Sequence, residues 1–240
     1  MTVLTMGGAA NDGALAVRVA DVEVVLRASG ALWLAQERML VVADLHLEKG
    51  SAYAARGQLL PPYDTRETLD RLEREIAALA PRCVVLLGDT LHDGEASIRI
   101  AETERARIGA LSNRVRLIWV RGNHDPDGAG DLGGETAPLV KVAGLTLQHD
   151  PSPGPVVGEI AGHLHPCARI QGPAGGVRRR CFASDGRRLI LPAFGAYAGG
   201  LNLRDSAFAN LFERPPVGFA LGRSVTAVAY ARLSPDRASR

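Results

Sequence analysis

Apolar positions along the chain fall into runs with distinct periods. Leu15–Val19, Val22–Leu26 and Ala31–Leu34 alternate or are β-branched, with Ser29-Gly30 marking a turn, and read as short strands. Met39–Leu45 is apolar up to Asp44, and Cys83–Leu87 is apolar throughout. Runs of this kind suit strands covered on both faces. Arg116–Val120 reads as a third strand of that set. Between the first two, Leu69, Leu72, Ile76 and Leu79 recur at three, four and three, one stripe of a helix that Pro81 ends. Asp64 and Glu67 have capping-box spacing at its start, with Asp in place of Ser or Thr. Ile98–Leu111 predicts a second helix with Glu and Arg outward. His46–Pro62, punctuated by Gly50, Gly57 and Pro61-Pro62, reads as irregular and long for a connection, a segment suited to a lid. Asp127–Gly134 reads as a loop. Leu145–Gln148, Val156–Ala161, Arg187–Leu191 and Ser224–Ala231 then read as strands.

Strands alternating with helices, followed by a β-rich second half, predict two facing sheets with helices outside. The 240 residues show no internal repeat, low-complexity segment or linker, so one domain is expected over residues 1–240, with residues 1–12 a frayed terminus. No run of eighteen apolar residues predicts a membrane span, and the N-terminus lacks a basic segment followed by a long apolar one. Cys83, Cys167 and Cys181 form no C-x-x-C pair, which fits a reducing cytoplasm.

Net charge is only +2, but it is uneven. From His163 onward there are 12 basic and 4 acidic residues, against 16 and 22 before it. A basic C-terminal third suits a polyanionic partner, although arginine-rich composition explains many of these charges equally well: only Lys49 and Lys141 are lysines.

The chemistry lies where the apolar runs stop. All six histidines, His46, His92, His124, His149, His163 and His165, fall at or just beyond a predicted strand, each with Asp, Asn, Gly or another His nearby. Strand ends of such sheets gather in one crevice, so a metal site is expected there. Imidazole with carboxylate and no thiolate suits Mn, Fe or Zn. Paired metals need a shared carboxylate, and Asp89, alone in the turn Gly88-Asp89-Thr90, is the candidate. A water between two metals loses its proton near neutral pH, which gives a nucleophile for phosphoester hydrolysis without a Ser or Cys elbow.

These residues carry a resemblance. D-x-H at Asp44–His46, GDxxH at Gly88–His92, GNHD at Gly122–Asp125, His149, and GHxH at Gly162–His165 resemble the calcineurin-like binuclear metallophosphoesterase superfamily. The resemblance implies a four-layer α/β/β/α sandwich of two facing mixed sheets flanked by helices. It implies that Asp44, His46 and His165 hold one metal and Asn123, His149 and His163 the other, with Asp89 bridging. His124 would contact the phosphate and protonate the leaving oxygen, and Asp125 would orient His124 by a hydrogen bond. His92, at a position where the nuclease branch also has a histidine, would be a further catalytic residue, with a supporting structural role as the alternative.

GHLHP at Gly162–Pro166 with LPAFGAYAGGLNL at Leu191–Leu203 is similar to the bacterial DNA-ligase-associated metallophosphoesterases. That implies a cytoplasmic, manganese-dependent DNA endonuclease acting on single strands in repair. Its expected associates are a helicase, an exonuclease and an ATP-dependent DNA ligase. A nucleotide or phosphoprotein phosphoesterase is the alternative, and a non-catalytic scaffold the third reading. Arg178, Arg179 and Arg180, with Arg187-Arg188 on an adjacent strand, would line a phosphate-tracking groove. Phe194–Gly200 either brings backbone amides to a phosphate or forms a bend. Glu48 and Lys49 read as lid or rim residues.

Overall fold

A computed structural model describes residues 13–58, 60–128, 130–172 and 175–236. The expectation of a frayed terminus at residues 1–12 lies outside them. Seven strands form the first sheet in sequence order: β1 (Leu15–Val19), β2 (Val22–Leu26), β3 (Leu32–Leu34), β4 (Met39–Val42), β5 (Cys83–Leu87), β6 (Arg116–Val120) and β7 (Glu135–Ala137). The first four pair antiparallel and the last four parallel. The second sheet uses β8 (Val140–Val142), β9 (Leu145–Gln148), β10 (Glu159–Ala161), β12 (Gly175–Ser184), β13 (Arg188–Ile190), β14 (Val217–Ala220) and β15 (Thr226–Val228). Strand β11 (Cys167–Gly172) joins it through β12. Here β9, β10 and β13 are parallel.

The alternation of strand side chains builds the layers. Val41, Val85, Ile118 and Val120 point toward Leu147, Ile160, Phe182, Leu189 and Phe219 of the second sheet. Their neighbours Leu40, Val42, Val84, Leu86 and Trp119 point the other way, onto Leu69, Leu72, Ile108 and Leu111 of two helices. This two-sided burial is why these strands read as unbroken apolar runs. The helices are α1 (Lys49–Ala55), α2 (Asp64–Leu79), α3 (Ala96–Arg99) and α4 (Glu102–Arg114). Over the outer face of the second sheet, Phe208 and Leu233, in or beside two 3₁₀ turns, pack with Leu203, Cys181 and Ile190. Among the described residues, no helix is long and apolar enough to cross a membrane.

Several local expectations change. His46–Pro62 contains α1, a helix too short to stand alone and held by its surroundings. The Glu48 carboxylate accepts from Ser51 Oγ and Thr65 Oγ1 at 2.6 and 2.8 Å. Gly50 N–H donates to Asp64 Oδ2 at 3.0 Å, and a Cβ on Gly50 would lie 2.7 Å from Asp64 Oδ1. Asp64 therefore serves α1 and forms no capping box; Tyr63 is the N-cap of α2, without a side-chain bond. The single helix expected over Ile98–Leu111 is two, because Ile100 turns out of helical geometry into the core. Met39–Leu45 stops being strand at Val42, since Asp44 has positive φ.

Candidate metal centre

The parallel strands of both sheets run the same way and end at one place. Asp44 N–H donates to Gly88 O, and Gly162 N–H to His149 O, so the four turns are stitched in pairs. Within those turns Asp44, His46, Asp89, His163 and His165 all have φ between 45° and 67°. Non-glycine residues rarely adopt this conformation, and five together are strain of the kind concentrated at functional sites. Glycine makes the closeness possible: a Cβ on Gly88 would lie 2.3 Å from the His149 ring, and one on Gly122 2.2 Å from Asp89 N.

Three groups of donors result, one of them His46 with His92 and His124 at the mouth and two deeper ones. Asp44, His46 and His165 converge, with His165 Nε2 3.3 Å from both His46 Nε2 and Asp44 Oδ1. Asp89, His149 and His163 form the second, joined by Asn123. His149 Nε2 stands 3.0 Å from Asn123 Oδ1, 3.2 Å from His163 Nδ1 and 3.3 Å from Asp89 Oδ1. The first sheet thus supplies Asp44, His46, Asp89 and Asn123, and the second His149, His163 and His165. The lone QHD histidine, which has no motif around it, joins the rest. Asp89 lies between the groups: its charge acts on His46 on one side and His149 on the other.

The electrostatics suit cations. Burial and the nearby rings of His165, His124 and His92 push His46 down to about 3, against the opposing charge of Asp89. Its imidazole is neutral at physiological pH, the form that ligates metal. His46 Nδ1 is buried and without a hydrogen-bond partner among the described residues. Burial alone would raise Asp89, but the hydrogen bond and charge of His149 and the His124 N–H hold its carboxyl low. His149 is pushed down by burial, yet Asp89 and Asp44 keep it above its ordinary value. Facing imidazole nitrogens beside ionised carboxylates, all N and O donors, fit two divalent ions of the Mn, Fe or Zn class.

His124 lies at the mouth, its side chain 41% exposed, with Nε2 3.9 Å from Asp89 Oδ2. Its Nδ1 lies 2.7 Å from the His92 carbonyl, and the His92 ring stacks on it at 5.7 Å and 17°. The expected Asp125–His124 contact is replaced by another. Buried Asp125 accepts N–H bonds from Asp89, Thr90, Leu91 and Gly122, at 3.0, 2.8, 3.1 and 3.0 Å. Three amides of the Asp89 turn and one of its own loop outcompete one imidazole, so Asp125 braces the loop that carries Asp89 and leaves His124 to a carbonyl. Burial still pushes Asp125 up to about 6 against those donors.

The arginines do not form the expected groove. Arg180 is turned inward and donates to Ala193 O and Gly195 O at 2.9 Å. Arg178 donates to Gly200 O and pairs with Asp236. Arg188 is buried against Glu159 at 2.8 Å, and Arg187 pairs with Glu213. Only Arg179 keeps an exposed head group with no acidic partner among the described residues. Strand alternation sends it to the other face of β12 from Arg178 and Arg180. Gly195 donates to Asp44 O and is packed against Leu45 O, so the start of Phe194–Gly200 is a bend that supports the metal loop.

A cleft of about 380 Å³ opens over the site, lined by His46, His92, His124, His163 and His165 with Lys49 and Gly199–Leu201 at its rim. Lys49 belongs to α1, which lay hidden in the segment read as irregular. Only the position of Lys49 just past D-x-H pointed to it.

Residues 37–186 match the family model for calcineurin-like phosphoesterases. No curated protein matches the sequence. Among solved structures, the nuclease MPE of Pseudomonas putida is 28% identical, with a TM-score of 0.68 over 90% of this chain and 100% of its own. Yfce, a phosphoesterase from E. coli, is 17% identical with a TM-score of 0.40, over 80% of this chain and 98% of its own.

Proposed function

The chain belongs to the calcineurin-like phosphoesterase family, and from that premise we propose that it is a manganese-dependent DNA endonuclease that hydrolyses phosphodiesters in single strands during repair. The observation that carries the reading is its likeness, over nearly the whole chain, to a nuclease that shares its fold.

Asp44, His46 and His165 would hold one ion and Asn123, His149 and His163 the other, with Asp89 between them. The ions would supply a nucleophilic water ionised near neutral pH and positive charge to draw electrons from phosphorus. The chain supplies the geometry and the proton. The His92 carbonyl can only accept, so His124 Nδ1 carries hydrogen and its proton chemistry is confined to Nε2, which faces Asp89 and the cleft. A doubly protonated His124 placed there hands the Nε2 proton to the departing oxygen and is left as the neutral Nδ1–H tautomer. Asp125 fixes Asp89 through the backbone, and His92 fixes His124 by stacking and through its carbonyl. Cutting of this kind calls for no base-specific contacts, and none of the cleft residues has the arrangement of a base-reading helix.

Purified protein given manganese and circular single-stranded DNA should linearise the circle. Duplex DNA, RNA, nucleotides and a phosphate monoester serve as the comparison panel. Turnover of nucleotides or the monoester alone, with the circle intact, would overturn the proposal in favour of a nucleotide or phosphoprotein phosphoesterase. Resemblance to the ligase-associated branch extends the proposal to cytoplasmic work beside a helicase, an exonuclease and an ATP-dependent ligase. Co-purification of those activities with the tagged protein tests that part.

A further inference from the structure

One face of α1 carries a pattern with no role in the metal centre. Lys49, Tyr53 and Arg56 stand at i, i+4 and i+7, one stripe of the helix and its C-cap, with Gly50 and Ala52 buried on its flanks. The stripe points at the mouth of the site. Lys49 lines the cleft, its Nζ 3.2 Å from Tyr197 O and 5.9 Å from the centre of the Tyr53 ring. The Tyr53 ring lies 6.1 Å from that of His92, which stacks in turn on His124, so three rings run inward from the helix. Arg56, exposed at the C-cap, continues the stripe beyond the last turn.

Neither cation is neutralised within the fold, although Lys49 also donates to the Tyr197 carbonyl. Arg99, Arg107, Arg116 and Arg188 are all paired with carboxylates, whereas Lys49 and Arg56 have no acidic partner among the described residues. The nearest acids are already committed: Glu48 to Ser51 and Thr65, and Asp93 to Arg99 by two bonds of 2.7 and 2.9 Å. A basic, aromatic, basic order suits an unpaired strand, whose phosphates need cations and whose bases need flat surfaces. The helical rise sets Lys49 and Arg56 about 10 Å apart, enough for separate phosphates with a base between.

We propose that the Lys49–Tyr53–Arg56 face of α1 is the track for the single strand beside the scissile phosphate, with Tyr53 stacking on a base and Lys49 and Arg56 each meeting a phosphate. It rests on the DNA-cutting reading above and adds where the strand lies. It also gives a physical reason for preferring single strands, because a base inside a duplex has no free face for Tyr53.

The test is binding of a fluorescent phosphorothioate oligothymidylate, which resists cleavage, to the metal-loaded protein. Tyr53→Leu should weaken binding about ten-fold and Tyr53→Phe should restore it, since a ring suffices for stacking. Lys49→Gln and Arg56→Gln should each lower the slope of log affinity against log salt by about 0.7. Cleavage should show the loss mainly in KM for the oligonucleotide. Arg74→Gln, remote on α2, should bind as the parent does. Unchanged affinity and slope in all the stripe variants, with the parent binding normally, would overturn the track alone. Failure of the parent to bind or cut single strands would overturn the DNA reading and the track together.

Discussion

The histidines at the strand ends and the arginines of the C-terminal third are the two strongest chemical signals in the chain, and they fold in opposite ways. The turns at the strand ends are strained, five of their residues at positive φ, and bring imidazoles face to face where they cannot all satisfy one another. Cations complete such a cluster. Arginines 178, 180, 187 and 188 instead find carbonyls or carboxylates within the fold. The difference teaches that a count of charges is not a count of available charges. Unspent groups bind ligands, and spent ones hold the sheet together.

Four substitutions break or sharpen this contrast. Asp89→Ala removes the carboxylate between the donor groups, so both ions should be lost and activity should fall by about a thousand-fold or more. Elemental analysis and turnover read it, and full activity would refute the bridging role. His124→Ala should retain both ions yet lose about a hundred- to ten-thousand-fold in turnover, because a proton donor goes but no ligand does. Arg188→Met tests the spent side: it leaves Glu159 buried and unpaired and strips donors from Leu211 O and Ser152 O. Urea titration should show a loss of about 3–5 kcal/mol, part of it recovered by also replacing Glu159 with Met. Arg179→Gln should be the mildest, within about 0.5 kcal/mol in stability, with little change in DNA affinity. A larger binding loss there than at Arg56 would return the arginine run to the substrate path.

What the sequence makes legible follows from what each element needs. Strands β4, β5 and β6 are packed on both faces, so their burial is written in the residues themselves. Asp44, Asp89 and Asn123 could be placed together because each follows such a strand. Strand β12 starts as GGVRRR, an exposed ribbon paired with β11, and shows no apolar period until Cys181. Helix α1 has only seven residues and is tied down by Glu48, Thr65 and Asp64, so KGSAYAA, despite its three alanines, is too short to show an apolar period. The work of Asp125 was hidden for a related reason. It looks like the neighbour of His124, but its partners are main-chain amides of Asp89, Thr90 and Leu91, more than thirty residues earlier. Backbone partners at that distance leave no side-chain pattern to read.

The division of the seven donors between two sheets also sets an order of events in synthesis. The chain emerging first, through β7, can pair the whole first sheet, yet it carries only Asp44, His46, Asp89 and Asn123. The remaining three arrive with β9 and β10, and β10 must wait for β13 to gain its second parallel neighbour. Contacts this far apart in sequence form late in folding. A nascent chain therefore cannot close the full donor set before β13, Arg188–Ile190, has been made, so the metal centre is silent through most of synthesis.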